Sequence, residues 1–261
     1  MSGIHLVCEG ADGTGKSSVV KIINDYLSDM GYNTTCHGNP GGTPLGKELR
    51  TLIKNRPDLN IDDRTIQILM MADWHAYLHS VVVPGVKDGK IVISDRANVI
   101  SGICYSIASG LDISQINDIM KCIPIDSPKI HLVVLFAGFD ELRNRQHHDI
   151  APDGQIIECR FQKKGEKYHR DVIDAYQLII KSRNPTIGSW LPIETLLFRF
   201  IHYTCLSGFS IWPVDVTMDL QTIKQHVVKT VDSIIHCSKL IYKPPEWICA
   251  DGEIKRHIKT V

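Results

Sequence analysis

Short apolar runs separated by longer stretches of helical spacing recur along the chain. Residues 4–8 (Ile-His-Leu-Val-Cys) have the composition of a buried strand. Behind them Val20, Ile23, Leu27 and Met30 recur at helical spacing. Residues 32–36 read as a second strand and 45–54 as a helix. Asp62 or Asp63 caps a long helical segment through Ile68, Met71, Trp74 and Leu78 to Val82, which Pro84 should end or kink. Residues 90–96 form the next strand and close on the charged pair Asp95-Arg96. Helical patterns follow over 99–109 and 112–122. Residues 130–136 are the most apolar strand, expected in the centre of a parallel sheet. After it come a helix over 139–146, a polar loop over 147–154, a basic then helical stretch over 158–181 and a helix over 192–207. A last strand (209–214) and a last amphipathic helix (220–240) follow, and the tail from Pro244 has no pattern. Strands alternating with helices predict an α/β fold, a parallel sheet wrapped on both faces with ligands at the carboxyl ends of the strands.

Between the first strand and the first helix stands Gly10-Ala11-Asp12-Gly13-Thr14-Gly15-Lys16-Ser17, a full G-x-x-x-x-G-K-[ST] string in the context it needs. Glycines let backbone N–H groups turn toward phosphate oxygens, and the helix dipole favours negative charge at that point. The motif assigns Lys16 to the β- and γ-phosphates and the Ser17 hydroxyl to Mg²⁺. Asp12 and Asp95-Arg96 both follow strands, so a parallel sheet should gather them at one end.

Composition narrows the partners. The chain has 261 residues with 29 basic and 29 acidic side chains, so net charge lends no support to binding of a nucleic-acid polymer. Any phosphate recognition falls to a few placed cations. Eight cysteines are scattered without a C-x-x-C pair, and no secretory signal opens the sequence, which points to reduced thiols in the cytoplasm. The apolar runs are too short for a membrane span.

Four stretches resemble the thymidylate kinase family: residues 9–18 (E-G-A-D-G-T-G-K-S-S), Pro40-Gly41-Gly42-Thr43 with Leu49-Arg50, the helix around Met70-Met71-Ala72, and Val92-Ile93-Ser94-Asp95-Arg96. The resemblance implies a P-loop NTPase fold with a five-stranded parallel sheet and a small lid. It implies one kinase domain over 1–240, with the lid at about 146–165, an added helical insertion at about 183–207 and an extension over 241–261. The donor site would comprise Gly10, Ala11, Gly13, Thr14, Gly15, Lys16, Ser17 and Ser18, with Mg²⁺ on Ser17 and Asp95. Asp12 would meet the sugar 3′-hydroxyl, Arg96 and Arg50 the acceptor phosphate, and Arg145 or Arg160 the transferring group. In the lid, Cys159-Arg160-Phe161-Gln162 replaces the family's D-R-x-E.

The departures fall on the base pocket. By alignment Met71 and His75 replace the family's stacking phenylalanine and base-reading arginine, with Ser101 and Tyr105 alongside. The resemblance therefore implies ATP-dependent phosphorylation of a deoxynucleoside monophosphate, dTMP or a 5-substituted relative, by a homodimer. A deoxynucleoside kinase, or a nucleotide-binding protein without kinase activity, stands as the alternative.

Overall fold

The computed structural model describes residues 3–56, 58–120, 128–145, 149–150, 156–157, 159–181 and 209–241. Five strands, β1 (Ile4–Glu9), β2 (Thr34–Gly38), β3 (Ile91–Asp95), β4 (Ile130–Phe136) and β7 (Phe209–Asp215), form one parallel sheet in the order β2-β3-β1-β4-β7. A short antiparallel pair, β5 (Asp149–Ile150) and β6 (Ile156–Ile157), lies in the segment expected to be the lid. The expected insertion at 183–207 and most of the extension lie outside the described residues.

The middle strand is β1, with Leu6, Val7 and Cys8 fully buried. The most apolar strand, β4, was expected there and instead sits one place over, between β1 and β7. Hydropathy reports burial on both faces, which any interior strand has, and says nothing of rank. The outer strands read differently: β2 is half exposed and polar, and β7 carries Pro213, which an edge strand tolerates.

Helices flank the sheet. Helix α1 (Lys16–Asp29) packs with α9 (Leu220–Ile241), and the Tyr26 hydroxyl donates to Asp232 at 2.5 Å. Helix α5 (Asn98–Ala108) lies between α3 (Asp63–Tyr77) and α8 (Glu166–Lys181). Shorter helices are α2 (Pro44–Arg50), which widens into a π-helical turn at Thr51–Asn55, α4 (Val83–Lys87), α6 (Ile113–Met120) and α7 (Phe139–Asn144). Asp62 caps α3 by accepting from the Thr65 N–H at 2.7 Å. Pro84 does not end the helical path, because a π-helical turn at Leu78–Val82 precedes it and puts the proline in the first turn of α4. No described helix is long and apolar enough to cross a membrane.

Two histidines are sealed into the sheet. His5 pairs with Ser94 Oγ at 2.9 Å, and His131 pairs with Ser210 Oγ at 2.7 Å. Burial, then the neighbouring His131, lowers the His5 pKa to about 3, and burial, then Lys129, lowers that of His131 to about 4. Both folded values lie below the unfolded one, so the stability is present at neutral pH and is lost as pH falls through the window from about 6.5 toward 4. Each buried histidine removes about 1 kcal/mol per pH unit there. Urea denaturation at pH 7 and pH 5 should find this loss, and His131→Gln should flatten the slope.

Candidate active site

The Gly10–Ser17 loop leaves β1 and enters α1 through Gly15, which holds a left-handed φ of 78° and supplies no side-chain cap. The first N–H groups of α1 therefore lack an internal partner and face outward. A Cβ on Gly15 would meet nothing within 4 Å, so the glycine leaves clear room for an anion. Gly13 is needed for the opposite reason: at φ 87° a Cβ there would lie 2.5 Å from the Leu142 carbonyl oxygen of α7. Thr14 Oγ1 and Lys16 Nζ both donate to the Ala11 carbonyl, at 2.9 and 2.8 Å, which holds the loop in a ring. Gly15, Ser17 and Ser18 are exposed, while Lys16 is buried. Burial, followed by the charge of Arg96, brings the Lys16 pKa down to about 8.

Sheet register carries the second half of the site to this loop. Cys8 of β1 pairs with Asp95 of β3, and the Arg96 N–H donates to the Cys8 carbonyl at 2.9 Å. Ser17 Oγ donates to Asp95 Oδ2 at 2.8 Å. One residue on, the Arg96 guanidinium donates through Nη2 to Asp12 Oδ1 and through Nη1 to the Gly10 carbonyl at 3.0 Å. Consecutive residues thus touch both halves of the phosphate loop. Arg96 holds φ 77°, uncommon for a residue with a side chain, and pairs and hydrogen bonds surround it. Its Cζ lies 5.6 Å from the centre of the Tyr105 ring. Burial works against ionisation of Asp12, but Arg96 and Lys16 outweigh it and hold the carboxyl at about 2.

Beneath Arg96 lies Glu9, which is fully buried. Its Oε1 accepts from the Ala97 N–H at 2.7 Å and its Oε2 from the Tyr176 hydroxyl at 2.7 Å. Burial pushes the Glu9 pKa up, against the pull of Arg96, 3.7 Å away. On the other side, Asn39 Nδ2 donates to the Arg96 carbonyl at 3.1 Å. Asp73 of α3 accepts from the Gly41 N–H at 3.2 Å and from Asn98 Nδ2 at 2.6 Å, which ties the Pro40-Gly41 turn to α5. A cavity beside Ala11 and Asp12 is lined by Tyr105, Phe161, Tyr168, His169 and Arg143, with the Tyr105 and Phe161 rings stacked at 5.0 Å.

The other residues expected here have protein partners of their own or lie at the surface. Arg50 Nη1 donates to the Pro40 carbonyl at 2.9 Å, so the side chain folds over that turn. Arg145 donates to the Val216 carbonyl at 2.7 Å and pairs with Glu141 at 2.6 Å. Arg160 gives its guanidinium to the carbonyls of Arg56, Leu59 and Ile61 at 2.8 to 3.0 Å and does not meet the phosphate loop. Met71 is buried, and the Ser101 hydroxyl is used on the Ala97 carbonyl at 3.1 Å. His75 lies exposed, with its ring 6.4 Å from that of His79. The buried positions on that face belong to Met70 and Trp74, and Trp74 stacks on His5 at 6.0 Å. Glu9, Tyr176, Asn39 and His169 are contributions that motif reading missed. So is Lys54, whose ammonium is depressed by burial and then by Arg50 and Arg96, with Asp12 opposing.

A parallel sheet with an open phosphate loop, a hydroxyl–carboxylate pair and a buried arginine one residue beyond defines a nucleotide-binding protein of the P-loop class. The sequence model of the family described as thymidylate kinase matches residues 8–187. The thymidylate kinase of Finegoldia magna is 28% identical over 182 residues, 69% of this chain and 85% of the relative. That of Mesoplasma florum is 33% identical over 183 residues, 69% of this chain and 84% of the relative. That of Halothermothrix orenii is 28% identical over 184 residues, covering 70% and 86%. The chain belongs to the thymidylate kinase family.

Proposed function

We propose that the protein transfers the γ-phosphoryl group of ATP directly to the 5′-phosphate of dTMP or a closely related deoxypyrimidine monophosphate, as a cytoplasmic homodimer. One observation carries the reading: Asp95 and Arg96, adjacent in the chain, reach Ser17 and Asp12 on the two halves of one phosphate loop. That spacing suits a donor triphosphate and an acceptor phosphate set end to end. The loop N–H groups and Lys16 hold the β- and γ-phosphates. Arg96 meets the acceptor phosphate, where a guanidinium fork suits phosphate geometry. Asp12 accepts from the sugar 3′-hydroxyl while it braces Arg96.

Ser17 Oγ and Asp95 Oδ2 form a hard-oxygen pair of the kind Mg²⁺ takes together with substrate phosphates. Bound there, the ion would neutralise phosphate charge. Phosphoryl transfer leaves little covalent chemistry to the protein, so these residues act by orientation and charge. Arg145 or Arg160 supplies the cation for the transferring group; the first would leave the Val216 carbonyl and Glu141, the second three backbone carbonyls.

The acceptor base is where the reading is finest. The departure that supports a 5-substituted base is the buried Met71, a soft side chain at the position of the family's stacking phenylalanine. A coupled ADP-release assay with dTMP, 5-hydroxymethyl-dUMP, dCMP and thymidine tests this. The expected result is turnover of dTMP and its 5-substituted analogue, with none of thymidine. Turnover of thymidine alone would overturn the monophosphate reading, and strong preference for dTMP over the analogue would remove the 5-substituted extension.

A further inference from the structure

We infer that Tyr176 is a positioning residue for Arg96, acting with Glu9 to fix the guanidinium that meets the acceptor phosphate. The inference rests on the acceptor role proposed above for Arg96. Tyr176 lies on α8 and Glu9 at the end of β1, so 167 residues separate the pair, and both are buried. A carboxylate can only accept, so the Tyr176 proton points at Glu9 Oε2, 2.7 Å away. That leaves the hydroxyl lone pairs for Arg96 Nη1 at 3.2 Å. One oxygen thereby relays the carboxylate to the guanidinium, and phenylalanine or tryptophan could not do so.

The other Glu9 oxygen accepts from the Ala97 N–H at 2.7 Å, directly after the left-handed Arg96. A single buried carboxylate therefore fixes both the backbone that launches Arg96 and, through Tyr176, the head of its side chain. Nη1 also donates to the Gly10 carbonyl and Nη2 to Asp12, so Tyr176 supplies a hydrogen bond from the helix side of the site, where the Tyr105 ring also faces the guanidinium. Without the hydroxyl, Arg96 keeps its charge and its two loop contacts but loses its fixed direction.

The test is Tyr176→Phe in the full-length enzyme. Steady-state kinetics should give a KM for dTMP raised about 5- to 20-fold, with the KM for ATP and the kcat little changed and the melting temperature lowered by the buried hydrogen bonds lost; a loss of 1 to 2 kcal/mol is the equivalent of that fold-change in KM. Thymidine, which has no phosphate, should inhibit the variant with its wild-type Ki. In an Arg96→Lys background the same change should add nothing, because the relay has lost its recipient. Glu9→Gln should raise the dTMP KM at least as far, since its amide NH2 replaces one of the two accepting oxygens and sets a donor against a donor. Equal rises in both KM values, weaker thymidine inhibition, or an unchanged dTMP KM in Tyr176→Phe would overturn the inference. Absence of any dNMP turnover by the wild-type enzyme would instead overturn the acceptor reading beneath it.

Discussion

Arg96→Ala should lower kcat/KM for the deoxynucleotide by about 10²- to 10³-fold, the scale for removing one preorganised charge-stabilising donor. The KM for ATP should change little, because Lys16 and the loop N–H groups remain. Stability should fall as well. Glu9 is fully buried and its carboxyl is already pushed up by burial, so without the guanidinium it takes a proton. Breaking a buried pair in this way costs about 3 to 5 kcal/mol where the leftover charge cannot neutralise, and less where it can. A contrast between two variants separates the chemistry from the backbone. Arg96 sits at φ 77°, which costs a residue with a Cβ about 1 to 2 kcal/mol relative to glycine. Arg96→Gly should therefore denature at a higher urea concentration than Arg96→Ala while being equally inactive. If Arg96→Ala binds dTMP as tightly as the wild type, the acceptor site lies elsewhere.

Much of this arrangement was legible in the chain. A glycine loop in strand–helix context, and a strand ending in Asp95-Arg96, are local patterns, and parallel pairing of β1 with β3 brings them together at Cys8 and Asp95. What escaped was long-range and polar. Nothing in the spacing links Glu9 to Tyr176, because α8 periodicity marks Tyr176 as a buried position and does not say what its hydroxyl meets. Arg160 lay in a basic stretch that read as a lid face, but its acceptors are three backbone carbonyls of a turn that side-chain patterns do not report. His75 lies off the buried face of its helix. The buried stripe of α3 runs through Ile66, Met70, Asp73, Trp74 and Tyr77. Met71 borders that stripe, and a further four residues rotate the position by about 40°, which takes His75 into solvent.

Lys16→Met should abolish phosphoryl transfer, lowering kcat about 10³-fold or more, on the scale of losing a charge aimed at the transferring group in a dry site. The lysine is buried against the Ala11 carbonyl at 2.8 Å, with Arg96 near enough to depress it. Both features place its pKa at about 8, within reach of an ordinary assay. The sign follows directly. Below that value the ammonium is charged and ready for the triphosphate, and above it the site loses a cation as pH rises. The kcat/KM for ATP, which reports the free enzyme, should therefore fall about tenfold per pH unit above that value. The kcat should hold to higher pH, because bound phosphate favours the ammonium. Lys16→Arg should lose that alkaline limb while being slow throughout, since a guanidinium stays charged but does not match the compact ammonium in the ring around Ala11. An alkaline limb that persists in Lys16→Arg would assign the titration to another group. The same pH series on Arg96→Lys provides a check from the other direction: substitution of the fixed guanidinium by a mobile amine weakens the repulsion on Lys16, so the limb should move upward.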